Sequence, residues 1–393
     1  MDPHDQFCPN SSCRNRGRRG AGNIGVHSQK EQRYVCRTCT KTFAATSGTV
    51  HYRLRTPEEV VTVVLTLLCH GCPQQAIVAA FGLDERTVVD WQQRAGAHCQ
   101  AVHEHVVQAG QVDLGHVQAD EIYVKVGKTK ATGTAGAGSD PPGPAVGDSA
   151  ASTGRVWQAM ALAVPSRLWL GGAISVQRDK TLIRTVAQQI RACACSLAVL
   201  VCVDGLSSYV GAIGDAFRER VLSGKPGRPR LVRPPEVLLA QVIKTAAKRR
   251  VVSVTQRVVF GSVEAVAHVL TTTHSGTMIN TAYIERLNAT FRACWAPLVR
   301  RTRALTRQIP HLTAGMYLVG TAYNFCWAHA SLRTRRIGPG RKWLERTPAM
   351  AAGLTDHPWT LHDLLTYQVP PAPWVAPTRR GRPPKCPPHE VAA

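Results

Sequence analysis

No stretch of this chain runs to eighteen or more apolar residues, so no membrane-spanning helix is expected. The opening residues, MDPHDQFCPNSSC, lack the apolar core of a secretory signal, and a cytoplasmic or nucleoid setting is expected. Acidic residues are scarce: 25 Asp and Glu stand against 48 Lys and Arg, a formal net charge of +23 over 393 residues. The excess is spread along the chain, and hydrophobic content reaches 44%, which together point to a folded binder of polyanions. A basic protein for a membrane surface or a ribosome is the competing reading. Cysteine is not scarce, but thirteen is an odd number and most are single. In a reducing compartment that argues against a disulfide framework and for a metal site with buried thiols. No internal repeat is present.

Cys8 and Cys13 form one pair and Cys36 and Cys39 another, the second inside RYVCRTCTKTF, a strand and tight turn. Four thiolates converging from two turns suit tetrahedral Zn²⁺, and a segment this short has little apolar material to fold without it. Residues 1–50 therefore read as a zinc ribbon. Residues 54–112 turn helical. QQAIVAAFGLDERTVVDWQQRAG reads as a helix-turn-helix with Gly82 at the turn, Asp84 capping and Val88 and Trp91 inward. Its outward side is expected to offer Arg86, Gln92, Gln93 and Arg94 to a DNA groove.

From residue 113 the pattern becomes mixed α/β. HVQADEIYVKV is a strand with Asp120 and Glu121 in its middle; alternation sends the two to opposite faces, so one metal site would use only one of them. Residues 127–155 are Gly- and Ala-rich and read as a mobile loop. LAVLVCVDGLSSY is an apolar strand ending at Asp204, and α/β folds place their chemistry at such strand ends. In NTAYIERLNATFRACW, Leu287, Phe291, Cys294 or Trp295, and Leu298 recur at core spacing, while Glu285, Asn288 and Arg292 share a polar stripe. A basic stretch at about 218–275 and a tail at 331–393, with a short TLHDLLTY helix, read as an insertion and a loosely docked end. Lys248, Arg249, Arg250, Arg300, Arg301, Arg303, Arg380 and Arg382 are candidate phosphate contacts.

Asp120, Asp204 and Glu285 thus give strand, strand and helix carboxylates able to hold two Mg²⁺ or Mn²⁺ ions. The segments DEIYVKV, DGLSSY and IERLNATFR around them, with LVRRTRALTRQ and YNFCWAH downstream, resemble the insertion-sequence-1 family of bacterial transposases. The resemblance implies a zinc-binding segment and helix-turn-helix ahead of an RNase H-like DDE domain at 113–330. It also implies a basic residue seven places after the Glu, which Arg292 matches. The expected activity is two-metal phosphodiester transfer: binding terminal inverted repeats, nicking 3′ ends and joining them to target double-stranded DNA. Arg292 and Asn288 would position the phosphate or terminal base, and a homo-oligomer would hold both ends together. The alternatives are a DNA-binding regulator derived from an inactive transposase and an RNase H-like nuclease or resolvase.

Overall fold

The computed structural model describes residues 2–127, 154–221, 228–247, 250–306, 308–335 and 342–376. Lys248, Arg249, Arg380, Arg382 and most of the 127–155 loop lie outside them. The chain forms two compact units, Met1–Gly48 with the chain from Gln368 on, and Thr49–Tyr367.

The smaller unit is a three-stranded antiparallel sheet of β1 (Ile24–Ser28), β2 (Arg33–Cys36) and β3 (Thr42–Ala44). Among the described residues its core cluster is Cys8, Cys13, Ile24, Tyr34, Cys36 and Phe43, and three of those six are cysteines. The returning chain closes it: the Gln368 amide donates to the Ala45 and Ser47 carbonyls at 2.7 and 3.0 Å, and Arg19 donates to the Gln368 carbonyl at 2.6 Å.

The larger unit begins with α1 (Glu58–Cys69), α2 (Gln74–Phe81) and α3 (Glu85–Val106). Gly82 stands at φ +63° after α2, and Asp84 caps α3 by accepting from the Arg86 amide. The sequence pointed to a separate domain at 54–112, but these helices share one compact unit with the sheet. The reason lies on α3, whose Gly96 abuts Ala314 so closely that an added Cβ would sit 2.4 Å from it.

Six strands build the central sheet: β4 (Gly115–Lys125), β5 (Arg155–Ala163), β6 (Leu168–Ser175), β7 (Val199–Asp204), β10 (Val237–Ala247) and β11 (Arg250–Phe260). Between β7 and β10 a small hairpin, β8 (Glu219–Val221) and β9 (Arg230–Val232), stands apart. The sheet order is β11-β10-β7-β4-β5-β6. β4, β5 and β6 run antiparallel in sequence, β7 and β10 lie parallel to β4, and β11 closes the edge antiparallel. One face carries α4 (Lys180–Cys193) and α5 (Ser208–Ala216); Asp179 caps α4 through the Leu182 amide at 2.9 Å. α6 (Val263–Thr272), α7 (Ala282–Cys294) and α8 (Ile309–Phe325) complete the unit. The core-facing residues of the α7 region, Leu287, Phe291, Trp295 and Leu298, are all buried. Cys294, the alternative to Trp295, is only half-buried.

Two expectations are corrected here. The 218–275 stretch is no insertion as a whole, because β10 is an interior strand with Val237, Leu238, Leu239, Ala240 and Val242 buried. The chain after residue 331 is not loosely docked as far as Tyr367. Ala349, Leu364 and Leu365 are fully buried, and Trp359 stacks on Phe325 with centroids 4.5 Å apart. These residues belong to α9 (Pro348–Ala351), α10 (Leu361–Thr366) and the link between them.

Candidate functional site

The ladder between β4 and β7 ends at the pair Ala119↔Val203. Just beyond it β4 presents Asp120 and Glu121, still paired with β5, and β7 presents Asp204, still paired with β10. Glu121 lies on the sheet face opposite to Asp120 by alternation, yet oxygens of Asp120, Glu121 and Asp204 all lie within 4.8 Å of one another. The two adjacent acids, expected on opposite faces, thus come together in one cluster. With the direct β4–β7 pairing ended, side chains from both faces meet around the end of β7.

Asp204 turns the chain by accepting from the Leu206 amide at 3.0 Å, and Gln241 on β10 fixes that turn by donating to the Asp204 and Leu206 carbonyls. α7 brings its polar stripe over the same place. Asn288, buried, donates to the second carboxylate oxygen of Asp120 at 2.8 Å. Glu285 lines the same cleft but stays outside the close cluster, paired with Lys244 of β10 at 2.6 Å and with Thr281 at 3.1 Å. The helix itself is anchored by Gln118, two residues before Asp120. Its buried amide oxygen accepts from the Tyr283 and Ile284 amides at 2.9 and 3.1 Å, and its nitrogen donates to the Asn280 carbonyl at 2.8 Å. No side chain of α7's own N-cap does this work, so a strand residue supplies the missing acceptor.

Burial raises the Asp120 carboxyl to about 6, helped by the charges of Glu121, Asp204 and Glu285 and opposed by a backbone hydrogen bond. Burial also raises Glu121, against the pull of Tyr209 and Arg178. Arg178 bridges the pair, 2.6 Å from Glu121 and 2.8 Å from Asp204. Burial works against its charge, but these two partners more than compensate and raise it. Arg292 is lowered by burial and by neighbouring Arg300. The cleft encloses about 850 Å³ and is lined by four acids, Asp120, Glu121, Asp204 and Glu285, and four bases, Arg178, Lys244, Arg292 and Arg300. With charges balanced, the cleft has no negative excess to repel a phosphodiester.

Asp120, Asp204, Asn288, Glu285 and Arg292 were all legible in sequence and line one cleft. Glu121 was seen but set aside; Arg178, Lys244 and Gln118 were missed. Among the expected groove contacts, Arg86 is exposed and Gln93 half-buried, but two are corrected. Gln92 is buried and donates to the His311 carbonyl, and Arg94 donates to the Val50 and Tyr52 carbonyls. One turn further along α3 its neighbours already face the core. Arg250, Arg300, Arg301 and Arg303 are exposed.

In the smaller unit the Cys8, Cys13, Cys36 and Cys39 sulfurs lie within 4.8 Å of one another. Cys8 and Cys39 are 3.6 Å apart and Cys13 and Cys36 3.8 Å. Sulfurs at about 2.3 Å from a tetrahedral ion stand about 3.8 Å apart, so the four could hold zinc with little adjustment. Asn23 donates to the Cys36 sulfur at 3.2 Å. Cys39 is partly desolvated, which opposes its ionisation, but hydrogen bonds from Asn10 and the Lys41 backbone bring it down to about 7. Among the described residues no helix is long and apolar enough to cross a membrane. Neither protein-family models nor curated proteins give a match to the chain.

Proposed function

We propose that this chain is a DDE transposase resembling the insertion-sequence-1 family, binding element ends and catalysing metal-dependent DNA strand cleavage and joining in its larger unit. The observation that carries this reading is the meeting of Asp120, Glu121 and Asp204 at the β4 and β7 strand ends, with Glu285, Asn288 and Arg292 facing them across one cleft. The sheet, with three antiparallel strands followed by two parallel to the first, accommodates an RNase H-like domain.

The donors at the cluster are all carboxylate oxygens, which suit hard divalent cations such as Mg²⁺ or Mn²⁺. Such ions would supply an activated water or 3′-hydroxyl and stabilisation of the leaving oxygen. Asp120 and Asp204 would hold them, with Glu121 as a further donor and Glu285 joining on release from Lys244. Asn288 keeps one Asp120 oxygen engaged, which fixes the carboxylate plane. Arg292 and Arg300 would grip the phosphates, while Arg178 neutralises Glu121 and Asp204 until a cation competes for the carboxylates or a phosphate for the guanidinium. The N-terminal module, its four cysteines holding zinc, and the exposed bases would hold the duplex, and the net charge of +23 would make that grip strongly salt-dependent.

The test is a Mg²⁺-dependent reaction of full-length protein with a labelled, pre-cut end taken from the repeats flanking the coding sequence, plus a plasmid target. Joined product is expected with the wild type, absent with Asp204→Ala and Glu285→Gln, and end binding should be retained in both variants. Binding without cleavage or joining would instead indicate a regulator. Cleavage without joining would indicate a nuclease.

A further inference from the structure

Away from the cleft, three side chains from opposite ends of the larger unit's sequence have the make-up of a separate metal site. His51 precedes α1, Glu58 is the first residue of α1, and His362 lies on α10. One ligand atom from each lies within 4.8 Å of the other two. His51 is 4% exposed, and both of its ring nitrogens are buried without a hydrogen-bond partner. An unpaired buried polar nitrogen costs about 1–3 kcal/mol, so this imidazole lacks what its position demands. Glu58 is half-buried and His362 exposed, which leaves one side of the trio open to solvent.

Hydrogen bonds to the backbone beside His51 and along α10 already set two of the three in place. The Val50 amide donates to the Leu365 carbonyl at 3.0 Å, and the His98 ring meets the Leu364 carbonyl at 3.0 Å. Arg94 holds the Val50 and Tyr52 carbonyls on either side of His51.

We propose that His51, Glu58 and His362 bind a divalent transition ion of the zinc class, with solvent at the fourth position, and that this ion ties α10 to the start of α1. Two imidazole nitrogens and one carboxylate oxygen are donors that suit zinc, at about 2.0–2.2 Å each. Magnesium, which favours an all-oxygen shell, is the poorer fit. The ion gives one of the two orphaned His51 nitrogens its partner. His362, being exposed, has the freedom to close the remaining distance. The site is independent of both the cysteine cluster and the carboxylate cleft, and its test does not use DNA chemistry.

Full-length protein is stripped of metal, titrated with Zn²⁺, desalted and assayed for bound metal by mass spectrometry. The wild type should retain one equivalent more than His362→Ala and Glu58→Gln, with the cysteine-bound equivalent unchanged. His362 is exposed, so its replacement leaves the fold intact. In parallel, hydrogen exchange across residues 361–366 should slow on adding Zn²⁺ to the wild type and not in His362→Ala. Equal metal content in wild type and His362→Ala would overturn the proposal, as would Zn²⁺ protection that survives the substitution.

Discussion

Asp120 keeps its proton to about pH 6 because burial and three neighbouring carboxylates all penalise its charge. Its folded value lies above the ordinary 3.8, so the ion-free fold binds more protons than the unfolded chain between those limits. The metal-free protein therefore loses stability as pH rises through that window, and a bound cation reverses the penalty. On the proposed reading, proton and cation would compete for the same oxygens. Mn²⁺ affinity measured by titration calorimetry should weaken about tenfold per pH unit below about 6 and level off above it. In Asp120→Asn that inflection should vanish; a wild-type affinity flat from pH 5 to 8 would show that Asp120 does not bind the ion. The two acids at this strand mark how far residues alone could be read. Asp120 was recognisable from its apolar strand. Glu121 was not, because alternation assigns it to the wrong face and only the end of the β4–β7 ladder brings it back.

At the scale of elements, α7 owes its position to a strand. Gln118 satisfies two amides of its first turn from β4, which couples Glu285 and Asn288 to Asp120 through one side chain. Gln118→Leu should cost roughly 1–3 kcal/mol in denaturant unfolding, since it strands buried donors. It should also weaken metal binding beyond what lost stability explains, as α7 drifts from the carboxylates. A variant with unchanged metal affinity would show that the helix is held by packing alone. The helix's two faces were legible from spacing, because Leu287 and Phe291 against Glu285 and Asn288 is a local pattern. The acceptor for its first turn was not, because it comes from more than 160 residues away in sequence. β10 was misjudged for a related reason. VLLAQVIKTAA is apolar enough for an interior strand, but the Lys248–Arg249–Arg250 run that follows dominates the local composition and suggests a surface insertion. Gln92 and Arg94 were placed outward on a helical-hairpin pattern that carries no trace of α8, the helix that covers this side of α3.

Across the whole molecule the two units should respond differently to chelation. Among its described residues the smaller unit's core cluster has six members, three of them cysteines of the candidate metal site, so little burial that the unit would need an ion to hold its fold. The larger has an extended core on β4, β7, β10, α4 and α5 that owes nothing to those thiols. Treating full-length protein with a zinc chelator should abolish hydrogen-exchange protection across residues 24–44 while leaving 115–125 and 199–204 protected. Protection at 24–44 that outlasts verified zinc loss would mean that the ribbon folds on its own.

The closure of the smaller unit by Gln368 also fixes the order in which the protein can be finished. Residues 1–48 leave the ribosome first, but the amide that caps Ala45 and Ser47 and the carbonyl that receives Arg19 are not yet made. At about 5–20 residues per second, the roughly 320 intervening residues take on the order of tens of seconds to synthesise. For that interval the nascent unit has only its own sheet, its small core and whatever ion its four cysteines would hold. This early module is thus completed late, and a chain released before Gln368 would carry the sheet without the contacts at Ala45, Ser47 and Arg19.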